Sequence, residues 1–554
     1  MDRETTILAF ALQNALRYEG KANPGAIVGR VIADLKAAKE DLPKIAKEVQ
    51  DVVKKVNAMT KDEQHALLEK IAPEFLEKKE KKHDLFAFLD IKDEQKIVTA
   101  FPPEPSKYPH IGHAKAVLLN YELAKRYDGK FIIRFEDTNP ELALKEYYDI
   151  HLENYAWLGV KADKVTYASD NMAQFYDKIR KLLKDGNAYV CSCAQEQIKA
   201  GRESMEPCGC REKPAKEALA LFKDMEKAAE GSFVIRAKID LGHKNSTMRD
   251  PTLMRIIDKP HARTGTKYRM WPTYDFENAV MDGSQGITHR LRSKEFEMRS
   301  ELQHHLQRIL GLPETFTYEF ARFNLEGVES SGRIIREMIA KEELWGWDDP
   351  SLTTLVALRR RGFQPEAIKS FVLATGISKN EATLTWDDLI VHNRRLLDGS
   401  AERYSFVSDP VALTIDGAPE LHPELQLHPS GDKGTRQFTT GSDFLITQQD
   451  AAMLKEGKLY RLMGCLNFEK HGKTFAFASQ KLEDYKGKGE AMIHWLPKEG
   501  NITAQVLMPD HTVVKGLAEP AVAKLSKDQV VQFERFGFCR LDNPKTMTFW
   551  FTHK

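Results

Sequence analysis

The hydrophobic positions of this chain follow two different spacings. Near the start they recur at helical spacing, in a first stripe of Ile7, Leu8, Ala11, Leu12, Ala15 and Leu16 and a second stripe of Ile45, Val49, Val52, Val53 and Val56. Gly20 and the turn KANPGA follow the first stripe and predict the end of its helix. We therefore predict a helical domain over residues 1–92, with LEKKEKKHD as a solvated linker at its end.

From residue 93 the hydrophobic runs become shorter and richer in β-branched and aromatic residues. The runs KIVTAF (96–101) and FIIRFED (131–137) flank a helix-like stretch. A strand, a helix and a strand within about 40 residues indicate a parallel βαβ unit. A later strand-like run, SFVIRAKI (232–239), lies in a segment rich in Lys, Glu and Gly, which we interpret as an inserted subdomain.

The remainder of the chain is first helical and then rich in short strands. Residues 341–395 have helical spacing and include the basic run Arg359, Arg360 and Arg361. After residue 396 the apolar segments are KTFAFAS, AMIHWL, ITAQVLM, TVVKGL, QVVQFERFGFCRL and TMTFWF. Their close spacing and turn residues predict antiparallel barrels.

Composition excludes some classes of protein. A chain of 554 residues exceeds what one hydrophobic core usually organises. The net charge of +1 gives no general basicity for nucleic acid, although a local basic stripe remains compatible with it. Neither a signal peptide nor an apolar run of about 18 residues or more occurs, so we expect no membrane anchor and a cytoplasmic location.

The segment FPPEPSKYPHIGHAKA (101–116) carries the most informative chemistry. A strand ends at Phe101, a Pro-rich turn follows, and a helix opens near Gly112. A helix N-terminus favours phosphate, and glycine lets a ligand approach the backbone. His110 and His113 can face one way and donate hydrogen bonds to charge developing on a transferring phosphate. The alternative is a pair of surface histidines, but the flanking strand and helix favour function.

Several long motifs resemble one known family. His-Ile-Gly-His is similar to the first signature of the class I aminoacyl-tRNA synthetases. The runs FPPEPSKYPHIGHAKAVLLN, RFEDTNP (134–140) and WPTYDFENAVMDGSQGITHRLRSKEF (271–296) resemble its glutamyl/glutaminyl branch. QNALRYEGKANPGA and the ending VQFERFGF…FTHK resemble the archaeal type of glutamyl-tRNA synthetase. The resemblance covers essentially the whole chain and implies ATP-dependent activation of glutamate followed by transfer to tRNA.

The resemblance implies a multidomain α/β + β fold with a class I Rossmann catalytic domain. Its segments are a helical N-terminal domain (1–92), the first Rossmann half (93–190), an acceptor-stem-binding insertion (191–265), the second Rossmann half (266–340), a helical connecting domain (341–395) and anticodon-binding β-barrels (396–554). Arg359 to Arg361 can contact tRNA phosphates or form a solvated helix face. Trp495 and Phe533 can stack on anticodon bases or belong to the core.

The resemblance also implies an ATP site. His110, Gly112 and His113 match the ATP-binding signature, the two histidines as catalytic residues, and we expect Arg322 and Phe323 at the same site. Magnesium is expected with ATP, held mainly by phosphate oxygens because the chain shows no dedicated all-protein magnesium motif.

Four residues match the family's binding site for the amino acid and the terminal adenosine. Glu104 matches a carboxylate near the terminal adenosine, and Glu136 matches the carboxylate that holds the α-ammonium, with a helix-capping acid as the alternative. Tyr274 matches the tyrosine beside the substrate side chain, although a tyrosine is often part of the core. Arg292 stands where the glutamate-specific branch has arginine, whose guanidinium can bind a carboxylate with two hydrogen bonds. A salt bridge within the fold is its alternative.

Two positions depart from the family pattern. Ala100 stands where an arginine usually helps to receive the substrate. The second signature, a Lys-Met-Ser-Lys-Ser-like loop, should fall at residues 329–333, where its lysine aligns with Gly332. We predict that Arg333 or Arg336 supplies the missing charge, with Arg333 as a catalytic residue. The departures keep open a non-catalytic or repurposed tRNA-binding paralogue.

Four cysteines form C-S-C-x14-C-G-C inside the insertion. Cys191, Cys193, Cys208 and Cys210 suit one structural zinc ion, and four unmetallated thiols are the alternative. The expected partners are glutamate and tRNA(Glu), with tRNA(Gln) left open, and the family suggests a monomer. A glutaminyl enzyme is the alternative within the family, which Arg292 disfavours. An enzyme that makes another adenylate is a further alternative, but it would have no use for anticodon-binding barrels.

Overall fold

The computed structural model describes most of the chain. The described residues are 3–17, 20–35, 42–72, 75, 84–89, 91–92 and 95–554. They divide into two compact units, Met1–Asp84 and Leu85–Lys554. The predicted linker falls mostly on residues 76–83, outside the described residues. In the ranges that are described, no helix has the length and apolar character needed to cross a membrane.

The described part of the first unit is helical, as predicted. Its helices are α1 (Arg3–Arg17), α2 (Pro24–Leu35), α3 (Leu42–Val56) and α4 (Lys61–Ile71). Members of both predicted stripes, including Ile7, Leu12, Val49 and Val53, are buried in one core. Gly20 ends the first helix with a φ of 85°, a conformation that glycine adopts without strain.

The second unit begins with a parallel sheet that an antiparallel sheet interrupts. In chain order the strands are β1 (Val98–Phe101), β2 (Lys130–Phe135), β3 (Lys164–Tyr167), β4 (Ala188–Cys191), β5 (Val234–Ala237), β6 (Thr252–Ile256), β7 (Met270–Pro272), β8 (His289–Ser293) and β9 (Phe316–Phe320). The parallel sheet has the order β3-β2-β1-β8-β9, and β4 to β7 form the separate antiparallel sheet. Ligands bind to such parallel sheets where the strand order reverses, here between β1 and β8. The antiparallel sheet spans residues 188–272, slightly beyond the predicted insertion on both sides.

Helices cover both faces of the parallel sheet. The helices of this region are α5 (Ile111–Arg126), α6 (Lys145–Trp157), α7 (Met172–Lys184), α8 (Gln195–Ser204), α9 (Ala215–Met225), α10 (Tyr274–Gln285) and α11 (Glu297–Leu310). On one face, Thr99 Oγ1 donates to the carbonyl of Asn120 in α5 at 2.8 Å. On the other face, Arg134 pairs with Asp282 of α10 at 2.7 Å. Helices α5 and α10 therefore carry residues to the same end of the sheet from opposite sides.

A helical segment follows the sheet. Its elements are β10 (Phe323–Leu325), α12 (Gly332–Ala340), α13 (Leu355–Arg361), α14 (Pro365–Ala374), β11 (Ala382–Leu384) and α15 (Trp386–Ser400). Arg361 of the basic run is buried, and its guanidinium donates to the carbonyls of Pro350 and Thr552 at 3.2 and 2.8 Å. Arg361 therefore fits neither alternative given for the basic run, a phosphate contact or a solvated helix face, because its buried side chain joins two parts of the fold. Arg359 is exposed and pairs with Glu153.

The C-terminal part contains two seven-stranded sheets. Its elements are β12 (Arg403–Tyr404), β13 (Phe406–Ser408), β14 (Pro410–Asp416), β15 (Glu424–Gln426), β16 (Thr435–Gln437), β17 (Asp443–Thr447), α16 (Gln448–Met453), β18 (Leu459–Leu462), β19 (Asn467–His471), β20 (Thr474–Ser479), α17 (Leu482–Tyr485), β21 (Ala491–Ile493), β22 (Leu496–Pro497), β23 (Ile502–Leu507), β24 (Val513–Ala518), β25 (Val530–Phe533), β26 (Gly537–Asn543) and β27 (Thr548–His553). The sheets have the orders β12-β25-β26-β27-β23-β24-β13 and β21-β18-β19-β20-β14-β17-β22.

The predicted antiparallel pairing holds for most neighbours in these sheets but not for all. The pairs β12–β25, β14–β20, β18–β21 and β23–β27 are parallel. The prediction of antiparallel barrels did not include these parallel pairs, in which the chain returns beside an earlier strand and runs in the same direction. Trp495 and Phe533 are both buried in the cores of these sheets, which places them among the core residues.

Candidate active site

A cleft of about 1140 Å³ opens at the carboxyl ends of the parallel strands. The predicted site residues that line it are Glu104, His110, Gly112, His113, Glu136, Tyr274, Arg292, Arg322 and Phe323. They come from the ends of β1, β2 and β8, from the first turns of α5 and α10, and from the segment after β9. The cleft therefore lies at the point where the strand order reverses, as expected for a ligand site in a doubly wound sheet.

His110 and His113 form a fixed pair at the start of α5. The Nδ1 atom of His110 accepts a hydrogen bond from the backbone N–H of Gly112 at 3.0 Å, and that of His113 accepts from the N–H of His110 at 3.2 Å. Burial, followed by the charge of Lys107, lowers the pKa of His110 to about 3. Both rings are therefore neutral near pH 7 and carry their proton on Nε2. The pair offers two hydrogen-bond donors that are oriented before a ligand arrives.

Gly112 is needed for the position of the His110 ring. A Cβ atom at residue 112 would lie 2.8 Å from Cε1 of His110, closer than van der Waals contact allows. The N–H of Ile111 donates to the carbonyl of Thr353 at 3.0 Å, which anchors the first turn of α5. The sequence predicted that a ligand approaches the backbone at Gly112. In the structure the group that requires a glycine there is the ring of His110.

Glu136 lies at the end of β2 with one oxygen held by a neighbouring side chain. Asn278 Nδ2 donates to Oε1 of Glu136 at 2.6 Å, and Arg134 lies 3.7 Å from the same oxygen. Burial, followed by the charge of Glu277, raises the pKa of Glu136. An ammonium group is the ligand that stabilises such a carboxylate in its ionised form. Sequence reasoning missed Asn278, although it follows Tyr274 by four residues and so shares its helix face.

The structure separates the two acids of the motif RFEDTNP. The carboxylate of Asp137 is fully buried, accepts hydrogen bonds from the N–H and hydroxyl of Ser169 at 2.8 and 2.7 Å, and accepts another from Tyr148. Its role is structural. Glu136 lines the cleft, and its role in holding the α-ammonium stays a prediction.

Tyr274 begins α10, and its ring stacks on Phe296 with the ring centres 5.0 Å apart. Burial raises its pKa, so its hydroxyl stays protonated and can donate to a carboxylate. The ring also lies under the guanidinium of Arg299, at 5.7 Å from its centre. Tyr274 also lines the cleft, and it comes from the second half of the sheet domain, whereas His110 comes from the first.

Arg292 lies at the end of β8 and has partners within the fold. Its Nη1 donates to Gln303 at 3.0 Å, and its Nε lies 3.4 Å from Oε1 of Glu319. Nη2 donates to Ser300. A guanidinium has five N–H donors, so these contacts leave donors for a ligand. The salt bridge that was the alternative is present, and Arg292 nevertheless lines the cleft.

A buried ionic network supports the floor of the cleft. Arg134 and Arg290 both pair with Asp282 of α10, and Arg134 Nε lies 3.2 Å from Glu277. Ala100, on the strand between them, is fully buried beside Ile132 and Ile287 in a small apolar cluster. A buried network of this kind fixes the geometry of groups bonded to it more than it adds stability.

The loop before α12 places the predicted substitutes for the missing lysine differently. Ser330, Ser331 and Gly332 line the cleft. The side chain of Arg333 is 78% exposed and pairs with Glu337, so it lies outside the lining. Arg336 donates to the carbonyl of Ser106 at 2.8 Å, which supports the turn before α5. The catalytic role of Arg333 stays a prediction that this arrangement does not favour.

The four clustered cysteines converge in the insertion. The Sγ atoms of Cys191, Cys193, Cys208 and Cys210 all lie within 4.8 Å of one another. The distance is 3.8 Å between Cys191 and Cys208 and 4.0 Å between Cys193 and Cys210. Four sulfurs at about 2.3 Å from a tetrahedral zinc ion would be roughly 3.8 Å apart. The thiols are therefore placed as zinc ligands would be.

Comparison with known proteins agrees with this cleft and this sheet. The chain matches the family model "tRNA synthetases class I (E and Q), catalytic domain" over residues 96–399, and two anticodon-binding domain models of the same family over residues 401–483 and 492–542. The chain therefore belongs to the class I tRNA synthetases of the E and Q group.

Among its relatives are two archaeal proteins named glutamate–tRNA ligase. The one from Pyrococcus abyssi is 39% identical over 98% of each chain. The one from Methanothermobacter thermautotrophicus is 38% identical over 100% of this chain and 99% of the relative. A solved structure of glutamate–tRNA synthetase from Elizabethkingia anophelis is similar over 55% of this chain and 71% of that one, with a TM-score of 0.41 and 18% identity.

Proposed function

We propose that this protein is a glutamate–tRNA ligase, which joins L-glutamate to tRNA(Glu) through a glutamyl-adenylate. The observation that carries the proposal is similarity to glutamate–tRNA ligases along the whole chain, at 39% and 38% identity. Arg292 in the cleft supports glutamate over glutamine, since a buried guanidinium prefers a carboxylate to a neutral amide. The family uses ATP with Mg²⁺. The phosphate oxygens of ATP would hold the ion, and the ion would neutralise part of their negative charge.

The cleft can provide each contact that the first reaction needs. In this proposal Glu136 binds the α-ammonium of glutamate, and Arg292 and the hydroxyl of Tyr274 bind its side-chain carboxylate; the presence of all three in the lining of the cleft supports these roles. An oxygen of the α-carboxylate then attacks the α-phosphorus of ATP, and pyrophosphate leaves. The Nε2–H groups of His110 and His113 stabilise the charge on the phosphate oxygens. In the second reaction a hydroxyl of the terminal adenosine takes the glutamyl group and AMP leaves.

The test is an aminoacylation assay with purified protein, ATP, Mg²⁺ and tRNA, in which labelled glutamate is compared with labelled glutamine. We expect charging with glutamate only. Charging with glutamine would identify the glutaminyl alternative. Binding of tRNA without charging by either amino acid would favour a non-catalytic paralogue, with Ala100 and Gly332 as its candidate causes.

The same assay, repeated with separate tRNA transcripts, decides whether tRNA(Gln) is also a substrate. Two further expectations remain predictions: that the protein is a monomer and that it is cytoplasmic. Size-exclusion chromatography with light scattering tests the first, and imaging of a tagged chain in its own cells tests the second.

We also propose that the cysteine cluster binds one structural zinc ion. The sulfur–sulfur distances of 3.8 and 4.0 Å support it, as does the position of the cluster between β4 and the loop that joins α8 to α9. Four thiolates would fill the coordination of zinc and leave no open position for catalysis. The ion would join the end of β4 to the loop between α8 and α9, a region that otherwise has a small apolar core.

Elemental analysis of the purified protein tests the zinc proposal. We expect about one zinc ion per chain, and Cys208→Ser should lose the metal and lower the thermal midpoint. Cys465→Ser is the matched control, since Cys465 is buried in a different core and its loss should leave the zinc content unchanged. A metal-free protein from a zinc-supplemented culture would contradict the proposal.

A further inference from the structure

Lys107 and Gly332 are in direct contact at the edge of the cleft. Lys107 lies in the turn between β1 and α5, and Gly332 is the first residue of α12. A Cβ atom on Gly332 would lie 2.6 Å from Cδ of Lys107 and 3.3 Å from its Cβ. The lysine side chain therefore occupies the space that a side chain at residue 332 would need. Both residues line the cleft.

The charge of Lys107 is not neutralised by an ion pair with any residue that the structure describes. In the part of the chain that the structure describes, its Nζ makes no ion pair or hydrogen bond. Burial lowers the pKa of Lys107; Glu104 opposes this effect, and the charges of Arg322 and Arg336 add to it. The same lysine contributes to the lowered pKa of His110, so its charge lies close to the histidine pair. This corner of the cleft is thus positively charged and open to an anion.

The backbone around Lys107 is held on two sides. The carbonyl of Lys107 accepts a hydrogen bond from Nε2 of His151 at 2.9 Å. The carbonyl of Ser106 accepts one from Arg336 at 2.8 Å. These bonds hold the turn between β1 and α5, from which the side chain of Lys107 reaches the lining of the cleft.

We propose that Lys107 binds the β- and γ-phosphates of ATP and the pyrophosphate formed from them. This inference rests on the proposed function, because it takes ATP as the substrate. As the oxygen of the α-carboxylate bonds to the α-phosphorus, the bond from that phosphorus to the bridging oxygen breaks. Its electron pair remains on pyrophosphate, and the ammonium of Lys107 neutralises the added negative charge. Lys107 transfers no proton in this step.

The position of the lysine explains why residue 332 is glycine. A larger residue there would push the lysine side chain aside, since the lysine is flexible and the backbone of α12 is not. The glycine thus admits to the cleft a cation that comes from another segment. In the family pattern described above, residue 332 itself would carry the lysine, so the charge is present here but is supplied from residue 107.

Removal of the charge is the first test. Lys107→Ala should raise the KM for ATP by about 10- to 100-fold, because a hydrogen-bonded charge is lost, and should leave the KM for glutamate unchanged. Lys107→Arg should keep most of the affinity for ATP. Lys145→Ala is the matched control, since Lys145 is exposed at the start of α6. Wild-type KM for ATP in Lys107→Ala would overturn the proposal.

Relocation of the charge is the second test. In the double variant Lys107→Ala with Gly332→Lys, the new lysine has the vacated space, so part of the lost ATP affinity should return. Gly332→Ala alone should displace Lys107 and raise the KM for ATP while the thermal midpoint is kept. Failure of both variants to change the KM for ATP would also overturn the proposal.

Binding measurements separate this proposal from the proposed function. Titration calorimetry with tripolyphosphate, without amino acid or turnover, should show weaker binding to Lys107→Ala than to wild type. If wild type binds tripolyphosphate through Lys107 but charges no tRNA, the proposed function fails and the phosphate site stands. If wild type charges glutamate and both proteins bind tripolyphosphate equally, only the role of Lys107 fails.

Discussion

At the scale of single residues, the cleft depends on side chains with partners on both sides. Arg292 is the clearest case, because Gln303, Ser300 and Glu319 orient its guanidinium from behind while other donors remain for a substrate. A side chain held in this way loses little freedom on binding, which favours recognition of a carboxylate. The same contacts mean that a change at residue 292 affects both binding and the local fold.

We predict that Arg292→Gln lowers kcat/KM for glutamate by about 100-fold or more, since one partner of a buried ionic contact is removed. The KM for ATP should stay near its wild-type value. Arg308→Gln is the control, because Arg308 lies on the same helix as Ser300 and Gln303 but is exposed, pairs with Glu314 and does not line the cleft. An unchanged kcat/KM for glutamate would contradict the assigned role. A raised KM for ATP would indicate general damage to the cleft.

The residues that could be predicted from sequence are those inside contiguous motifs. His110 and His113 are three residues apart at the start of one helix, so their convergence needs no long-range information. Lys107 lies inside the same motif, but its role depends on Gly332, which is far along the chain and meets it only after folding. Asn278 lies on α10 and contacts Glu136 just after β2, so only its helical spacing from Tyr274 gave a signal in the sequence.

At the scale of elements, hydrophobic runs predicted where strands occur but not which strands pair with each other. The runs KIVTAF and FIIRFED became β1 and β2. By contrast, β14 is antiparallel to β17 and parallel to β20, an arrangement that depends on tertiary packing. Local periodicity contains no information on which distant strand lies alongside.

Helix α10 illustrates packing that local propensity does not reveal. Gly283 lies in its interior, and a Cβ there would be 2.7 Å from Cβ of Leu312. We predict that Gly283→Ala lowers the free energy of unfolding by about 1–2 kcal/mol, since overpacking outweighs the gain in helix propensity. Urea denaturation gives the value. Gly399→Ala in α15 should be neutral or stabilising, because an added Cβ atom there would meet no neighbouring atom within 4 Å outside its own helix turn. Equal effects at the two positions would contradict this account.

At the scale of the whole molecule, the helical segment and the C-terminal strands are joined by buried polar contacts. Arg361 bonds to the carbonyls of Pro350 and Thr552, and Gly362 follows with a φ of 100°. A Cβ on Gly362 would lie 2.8 Å from Oγ1 of Thr552. The junction therefore leaves no room for a larger residue.

We predict that Arg361→Ala destabilises this junction by about 3 kcal/mol, because buried carbonyls lose their donor. Calorimetry should then show the C-terminal part unfolding before the catalytic domain. Arg359→Ala is the neighbouring control, since Arg359 is exposed and its pair with Glu153 contributes little. A single unchanged transition in Arg361→Ala would contradict the role given to the junction.

The same junction lies between the catalytic cleft and the C-terminal strands. Residues 401–483 and 492–542, which match the anticodon-binding models, belong to the C-terminal part that Arg361 joins to the helical segment through the carbonyl of Thr552. An RNA that contacts the cleft and the C-terminal strands at once must have these two contacting parts separated by the distance between them. We therefore expect a minihelix that carries the acceptor end but no anticodon arm to contact the cleft alone, and to be charged less efficiently than full-length tRNA in the aminoacylation assay.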